Sequence, residues 1–316
     1  MQHKDGPRLT GKKLPQQWQP LPTGLDPPFL RLATLVHFAA HPHLSDSLSN
    51  TGLPVEEAIA ELRDALASRR HSVLIAPPGA GKTTLVPLRL LHENWVAGRK
   101  IVMLEPRRLA ARAAAQRMAH MLGEKVGDTV GYQTRDERKI GANTRIEVLT
   151  EGILTRRLQN DPTLDGTALV IFDEVHERNV PTDLGLAFLL DAIKTFSTDV
   201  KILAMSATAQ TQLFAHVLAD DQGDAPIITS EGRTFPIDVR YVPRQRNDRL
   251  ENAITDVVIG ALNTDDGDVL VFLPGIGEIN RAQTLLKERV AGNVDVLRLA
   301  GALPFSEQDA ALNASG

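Results

Sequence analysis

A parallel sheet covered by helices on both faces, an α/β fold, is predicted by three observations. Short apolar runs alternate with helical patterns: Val73 to Ala76, Ile101 to Leu104, Arg145 to Leu149, Leu169 to Phe172 and Lys201 to Met205. The first run turns through glycines into a helical segment. Polar residues follow each run at once, and in open sheets of this kind ligands gather at the carboxyl ends of the strands. The length of 316 residues suits about two domains with substantial cores. The absence of cysteine excludes a disulfide framework and fits a reducing cytosol. The most apolar early stretch, Phe29 to Ala40, carries Arg31 and His37 and falls short of the roughly 20 residues a membrane span needs. A soluble, cytoplasmic chain without membrane association is therefore expected. A formal charge of −4 excludes a globally basic nucleic-acid binder, so any such affinity must come from a local patch.

Residues 1–50 mix prolines with scattered glycine, glutamine and basic residues and show no sustained period, which reads as a disordered extension. Lys4, Arg8, Lys12 and Lys13 there suit a solvated tail better than a nucleic-acid-binding arm. From Val55 a helical face emerges through Ile59, Leu62 and Leu66 and ends near Arg70. The stretch Ser72 to Thr84, SVLIAPPGAGKTT, then reads as a buried strand turning into a helix through Pro78, Gly79, Ala80 and Gly81. Backbone N–H groups of such a turn, together with the positive end of the helix, cradle a phosphate. Lys82 would reach the β- and γ-phosphates of a nucleotide, Thr83 would take a place on Mg²⁺, and Thr84 continues the helix start. Ala76 stands where the Walker A pattern has its first glycine.

The next strand end carries Glu105, Pro106, Arg107 and Arg108, then a helix with Arg112 and Arg117. Adjacent guanidinium forks suit a phosphodiester backbone, although taken alone a solvated basic helix face explains them as well. Thr150 before Glu151 and Gly152 could hold a further phosphate or simply cap a helix. After Leu169 to Phe172 comes DEVHER. Two carboxylates at the tip of a buried strand call for a metal or a charge, and an adjacent strand end carrying the phosphate loop would supply Mg²⁺. Asp173 would hold the metal and Glu174 would polarise water, whereas His176 by itself says little. Ser206, Ala207 and Thr208 close the series and are uninformative in isolation.

Taken in order, these segments resemble a superfamily 2 helicase of the DEAH-box class. PPGAGKT is similar to motif I, EPRRLAAR to motif Ia, TEGIL to motif Ib, DEVH to motif II and SAT to motif III. The forms APPGAGKT and LEPRRLAARAAAQRMA look most like its bacterial HrpB branch. The resemblance spans roughly residues 51–312. It implies an ATP-dependent helicase or translocase on single-stranded RNA, or alternatively DNA, built from RecA-like P-loop domains with ATP and Mg²⁺ between them. By the resemblance, Lys82, Thr83 and Asp173 bind nucleotide and metal, and Glu174 activates water. His176, Ser206 and Thr208 link nucleotide state to domain movement, Arg107, Arg108 and Thr150 grip the strand backbone, and Arg117 stacks on adenine. Val175 replaces the alanine of the class name without removing a chemical group.

The expected organisation is a first RecA-like domain at 51–231 and a partial second one at 232–316. A helix from Leu250 to Leu262 precedes a strand, Asp268 to Leu273, resembling motif IV, and LAGALPFSEQ resembles the following strand end. No QRxGRxGR-like segment follows, so the family's second-domain arginines are expected to be missing and turnover impaired. The alternative reading is a module that binds ATP and RNA without coupled turnover.

Overall fold

Strands form where the apolar runs predict them, because β-branched and large aliphatic residues buried on both faces suit the centre of a parallel sheet. The computed structural model describes residues 51–208, 211–232, 236–244 and 247–313, and the expected disordered extension lies outside them. The strands are β1 (His71–Ile75), β2 (Lys100–Leu104), β3 (Val130–Gln133), β4 (Arg138–Lys139), β5 (Ile146–Leu149), β6 (Thr167–Phe172), β7 (Lys201–Ser206) and β8 (Ile227–Thr229). They form one sheet in the order β4-β3-β5-β2-β6-β7-β1-β8, parallel throughout except for the antiparallel β3–β4 pair.

The helices are α1 (Ile59–Ser68), α2 (Lys82–Leu90), α3 (Arg108–Met121), α4 (Glu151–Asn160), α5 (Val180–Phe196), α6 (Gln212–Val217), α7 (Leu250–Thr264), α8 (Ile276–Arg289) and α9 (Phe305–Asn313). Period-2 alternation along each strand divides the core. Leu74, Met103, Ile171 and Leu203 face α1, α2 and α3 through Leu62, Leu85 and Met118. Val73, Val102, Phe172 and Ile202 face α4, α5 and α6 through Leu154, Leu189 and Phe214. The helix expected from Val55 opens as a 3₁₀ turn, Pro54–Ala58, since proline preorganises a first turn.

Two strand expectations need correction. First, β6 and the loop-bearing β1 are not adjacent, because β7 lies between them and pairs with both. The crossover after β1 carries the chain to the far side of β6, so the two site segments converge above the end of β7. Second, Asp268 to Leu273 has no ladder among the described residues. Val269, Val271 and Leu273 still alternate onto a small cluster with Ile254, Val258 and Leu286 of α7 and α8. The pattern of a strand is present there without a neighbour to hydrogen-bond it. Residues 299–304 likewise carry no strand and lead into α9.

The described residues divide into two compact units, one of 51–236 with 299–308 and the other of 237–298 with 309–313. At the end of the sheet opposite the loops, Arg99 Nη2 donates to the Trp95 carbonyl at 2.8 Å and Lys201 Nζ to the Arg69 carbonyl at 2.9 Å, while Arg99 also pairs with Asp199. These cations complement backbone carbonyls where chain segments end.

Candidate active site

The glycine turn after β1 owes its shape to Gly81, which caps α2 at φ 92°, ψ 8°. Few residues with a side chain hold that left-handed geometry, and a Cβ there would come within 2.7 Å of Leu53 Cδ1. The turn is anchored from behind, since the Val55 N–H donates to the Ala80 carbonyl at 3.0 Å. Pro78 and Gly79 are exposed in this turn, while Ala80 and Lys82 are buried.

Asp173 follows β6 and is 0% exposed. Its Oδ2 accepts the Thr83 hydroxyl at 2.6 Å, and its Oδ1 accepts the Glu174 N–H at 2.9 Å. That second bond holds Glu174 in the left-handed region, φ 52°, ψ 37°, a conformation that costs an L-residue about 1–2 kcal/mol and turns its carboxylate back over α2. Lys82 Nζ meets Glu174 Oε1 at 2.8 Å. Burial raises the Asp173 carboxyl to about 6, with Glu174 adding to the rise, while the Thr83 hydroxyl and Lys82 oppose it. Among the described residues no group of three His, Cys, Asp or Glu side chains is placed to hold a metal alone. A hard cation held by one carboxylate, one hydroxyl and phosphate oxygens fits that donor set, as is usual for Mg²⁺.

The third strand end joins this pair. The Ala76 N–H donates to the Ser206 carbonyl at 2.9 Å, tying the β1 and β7 exits together. Ser206 Oγ donates to the Thr208 carbonyl at 3.1 Å and accepts the Thr208 N–H at 3.2 Å, which folds the SAT segment into a tight turn. His176 Nδ1 accepts the Ala207 N–H at 3.3 Å and also lies 3.3 Å from Glu174 Oε2. One ring nitrogen cannot accept from the amide and donate to the carboxylate at once, so the tautomer decides which neighbour His176 holds.

Arg107 and Arg108 are exposed at the start of α3 and are met by carboxylates: Arg107 pairs with Glu177 and Arg108 with Asp136. Thr150 is the N-cap of α4, without a side-chain cap hydrogen bond. Arg117 is exposed on α3, the helix that packs against α2. The structure thus brings Lys82, Thr83, Asp173, Glu174, His176 and the SAT turn into one connected network. Glu105, Glu177 and Asp136 had no role in the sequence reading. Glu105 was legible by the argument applied to Asp173, since it too is a carboxylate at the tip of an apolar strand. It is 4% exposed, and burial, with the charge of Asp173 second, pushes its carboxyl up to about 8.

A family profile described as DEAD/DEAH box helicase matches residues 56–215. The chain is 45% identical over 262 residues to the ATP-dependent RNA helicase HrpB of Escherichia coli strain K12, an alignment covering 83% of this chain and 32% of that protein. It is 32% identical over 271 residues to an ATP-dependent RNA helicase HrpA homolog of Haemophilus influenzae, covering 84% of this chain and 20% of the other. The crystal structure of Escherichia coli DEAH/RHA helicase HrpB superposes with a TM-score of 0.76 at 44% identity, over 84% of this chain and 33% of that one. The chain therefore spans a third or less of the length of these relatives.

Proposed function

The chain belongs to the DEAD/DEAH box helicase family, and on that premise we propose that it binds Mg-ATP at the α2 loop and couples ATP hydrolysis to movement on single-stranded RNA. The observation that carries this reading is the network joining Thr83 to Asp173 and Lys82 to Glu174 across two strand ends. In the proposed division, residues 51–231 form the nucleotide-binding domain and a second domain begins at about 232. The relatives' names supply the substrate class, an RNA, and the energy source, ATP. A cytoplasmic place of action suits both, and among the described residues no helix is long and apolar enough to cross a membrane.

In this mechanism the amides at the start of α2 and Lys82 hold the phosphates, with Arg117 against the adenine. Thr83 and Asp173 would hold Mg²⁺, which when bound offsets negative charge on the phosphates being separated. Phosphate oxygens compete with Glu174 for Lys82, and a Glu174 released in this way can take a proton from the attacking water. His176 sits between Glu174 and the Ala207 amide, so a change at the carboxylate reaches Ser206 and Thr208. Arg107, Arg108 and Thr150 contact the RNA backbone, which carries little base information. Single strands of DNA compete in the same assay and decide the preference.

Calorimetric titration of the parent and Lys82→Ala with Mg-ATP tests the nucleotide site. Removing the charge-assisted hydrogen bonds to phosphate should lower affinity by at least about tenfold. Equal affinity in a folded variant would refute the reading.

A further inference from the structure

Glu105 stands between the two functions assigned above. It follows β2 directly, one residue beyond the paired Leu104 and Phe172, and so lies level with Asp173, just beyond the end of neighbouring β6. The Asp173 N–H donates to the Leu104 carbonyl at 3.0 Å, which fixes the two strand exits side by side. On its other side Glu105 Oε1 accepts the Arg107 N–H at 3.3 Å. Arg107 is the N-cap of α3 and provides no side-chain cap of its own, so the Glu105 carboxyl meets an amide at an otherwise uncapped helix start. The Arg107 guanidinium meanwhile pairs with Glu177, in the turn that follows Asp173 and Glu174. Backbone and side chain of one arginine are thus both held by carboxyls, one level with Asp173 and the other in the turn that follows Glu174.

Resting on the reading of Arg107 as an RNA contact, we propose that Glu105 is a positioning residue that relays occupancy of the nucleotide site to Arg107, so that nucleotide and RNA affinities are coupled. A buried carboxyl wedged beside Asp173 has no solvent into which to move. When Asp173 shifts to take a cation the neighbouring carboxyl must respond, and the Arg107 amide follows its acceptor. Interiors packed at protein density transmit such displacements instead of absorbing them. The plainer alternative is that Glu105 only holds the first turn of α3, in which case it affects stability but not coupling.

The test is fluorescence anisotropy of a labelled single-stranded RNA on the full chain, with and without Mg²⁺ and a non-hydrolysable ATP analogue. Parent, Glu105→Ala and Glu105→Gln are compared, with thermal melting as a check of the fold. In the parent the analogue should change RNA affinity by about fivefold or more, the lower end of ordinary coupling. Glu105→Ala should bring that ratio to within about twofold of one while the analogue alone binds as in the parent. Glu105→Gln keeps the shape and an acceptor oxygen and should restore the parental ratio. If Glu105→Ala does not fold, Glu105→Asp, which draws the carboxyl back by one methylene, replaces it with the same expected loss. A parental ratio in the Ala or Asp variant, or no rescue by Gln, overturns the proposal. A parent that binds both ligands with no coupling overturns it too, whereas a parent that binds neither refutes the functional reading beneath it.

Discussion

Replacing Glu174 with glutamine should tighten Mg-ATP binding while slowing hydrolysis, because this one carboxylate occupies Lys82 and in the proposed mechanism also serves the water. Unit charges 2.8 Å apart, the Lys82–Glu174 separation, attract by about 6 kcal/mol at an effective dielectric of about 20, before desolvation is counted. Charge-assisted hydrogen bonds retain about 1.5–3 kcal/mol of that as net stabilisation. The lower end applies here, since the Glu174 side chain is 24% exposed and partly screened. Glutamine still accepts a hydrogen bond but no longer holds Lys82 by charge, and Lys82 is only 4% exposed, so its ammonium needs an anion. Releasing it to the phosphates should improve affinity by about 1.5 kcal/mol, about tenfold. Loss of a general base lowers turnover by about 10²- to 10⁴-fold. Titration calorimetry gives the first number and phosphate release the second. Weaker binding by a folded Glu174→Gln variant would show that Glu174 serves the metal or the loop, and would refute the competition between carboxylate and phosphate.

Arg107→Ala with Arg108→Ala should weaken single-stranded RNA binding about equally for all sequences and flatten its salt dependence by about 0.7 in log–log slope for each phosphate no longer neutralised. Binding curves at several salt concentrations decide this, and an unchanged slope would assign both arginines to Glu177 and Asp136 alone. Gly81→Ala forces a side chain to φ 92° at a cost of about 1–3 kcal/mol, so its melting temperature should drop by several degrees; a melt identical to the parent's would show that the turn can relax. Glu105, pushed up to about 8, and Asp173, to about 6, bind protons more tightly folded than unfolded. Stability therefore falls as pH rises from about 4 to 6 on account of Asp173 and on to about 8 on account of Glu105, where the folded chain still holds protons that the unfolded chain has lost, and Glu105→Gln should flatten the melting temperature between about pH 6 and 8. A parent whose melting temperature climbs from pH 6 to 8 would contradict the burial assigned to Glu105.

The five central strands and their order along the chain were readable because each is a largely apolar run ending in a polar signal, interrupted in β5 alone by Glu147. The edges were not. β3 and β8 are short, and β4 is two exposed residues, Arg138 and Lys139, paired with Gln133 and Tyr132; no apolar period marks such a strand, and only its neighbour makes it one. The same dependence on a neighbour explains Asp268 to Leu273, where the alternation is present and the ladder is not. Spatial order was equally out of reach, because periodicity reports which face a residue buries and never which strand lies beside it. In the site, the residue types singled out Lys82, Thr83 and Asp173, which the structure brings together, since few other arrangements explain a glycine turn followed by GKT. The pairing of Arg107 with Glu177 depends on how far one side chain reaches across two strand exits, which no spacing along the chain encodes.

The position of β1 also governs when the glycine turn that follows it can form during synthesis. The strand is the first of the sheet in the chain, yet its two neighbours are β7 and β8, and even the His71 ring is engaged by the Ile202 amide, 131 residues further on. A ribosome that has released the GKT segment has made neither of the strands that will flank β1. Until Thr229 emerges, β1 is an apolar segment with two open edges, the kind that chaperones bind and that aggregates when it waits. Closing so large a loop is slow, so nucleotide binding by nascent chains of increasing length should begin only once β8 has left the exit tunnel.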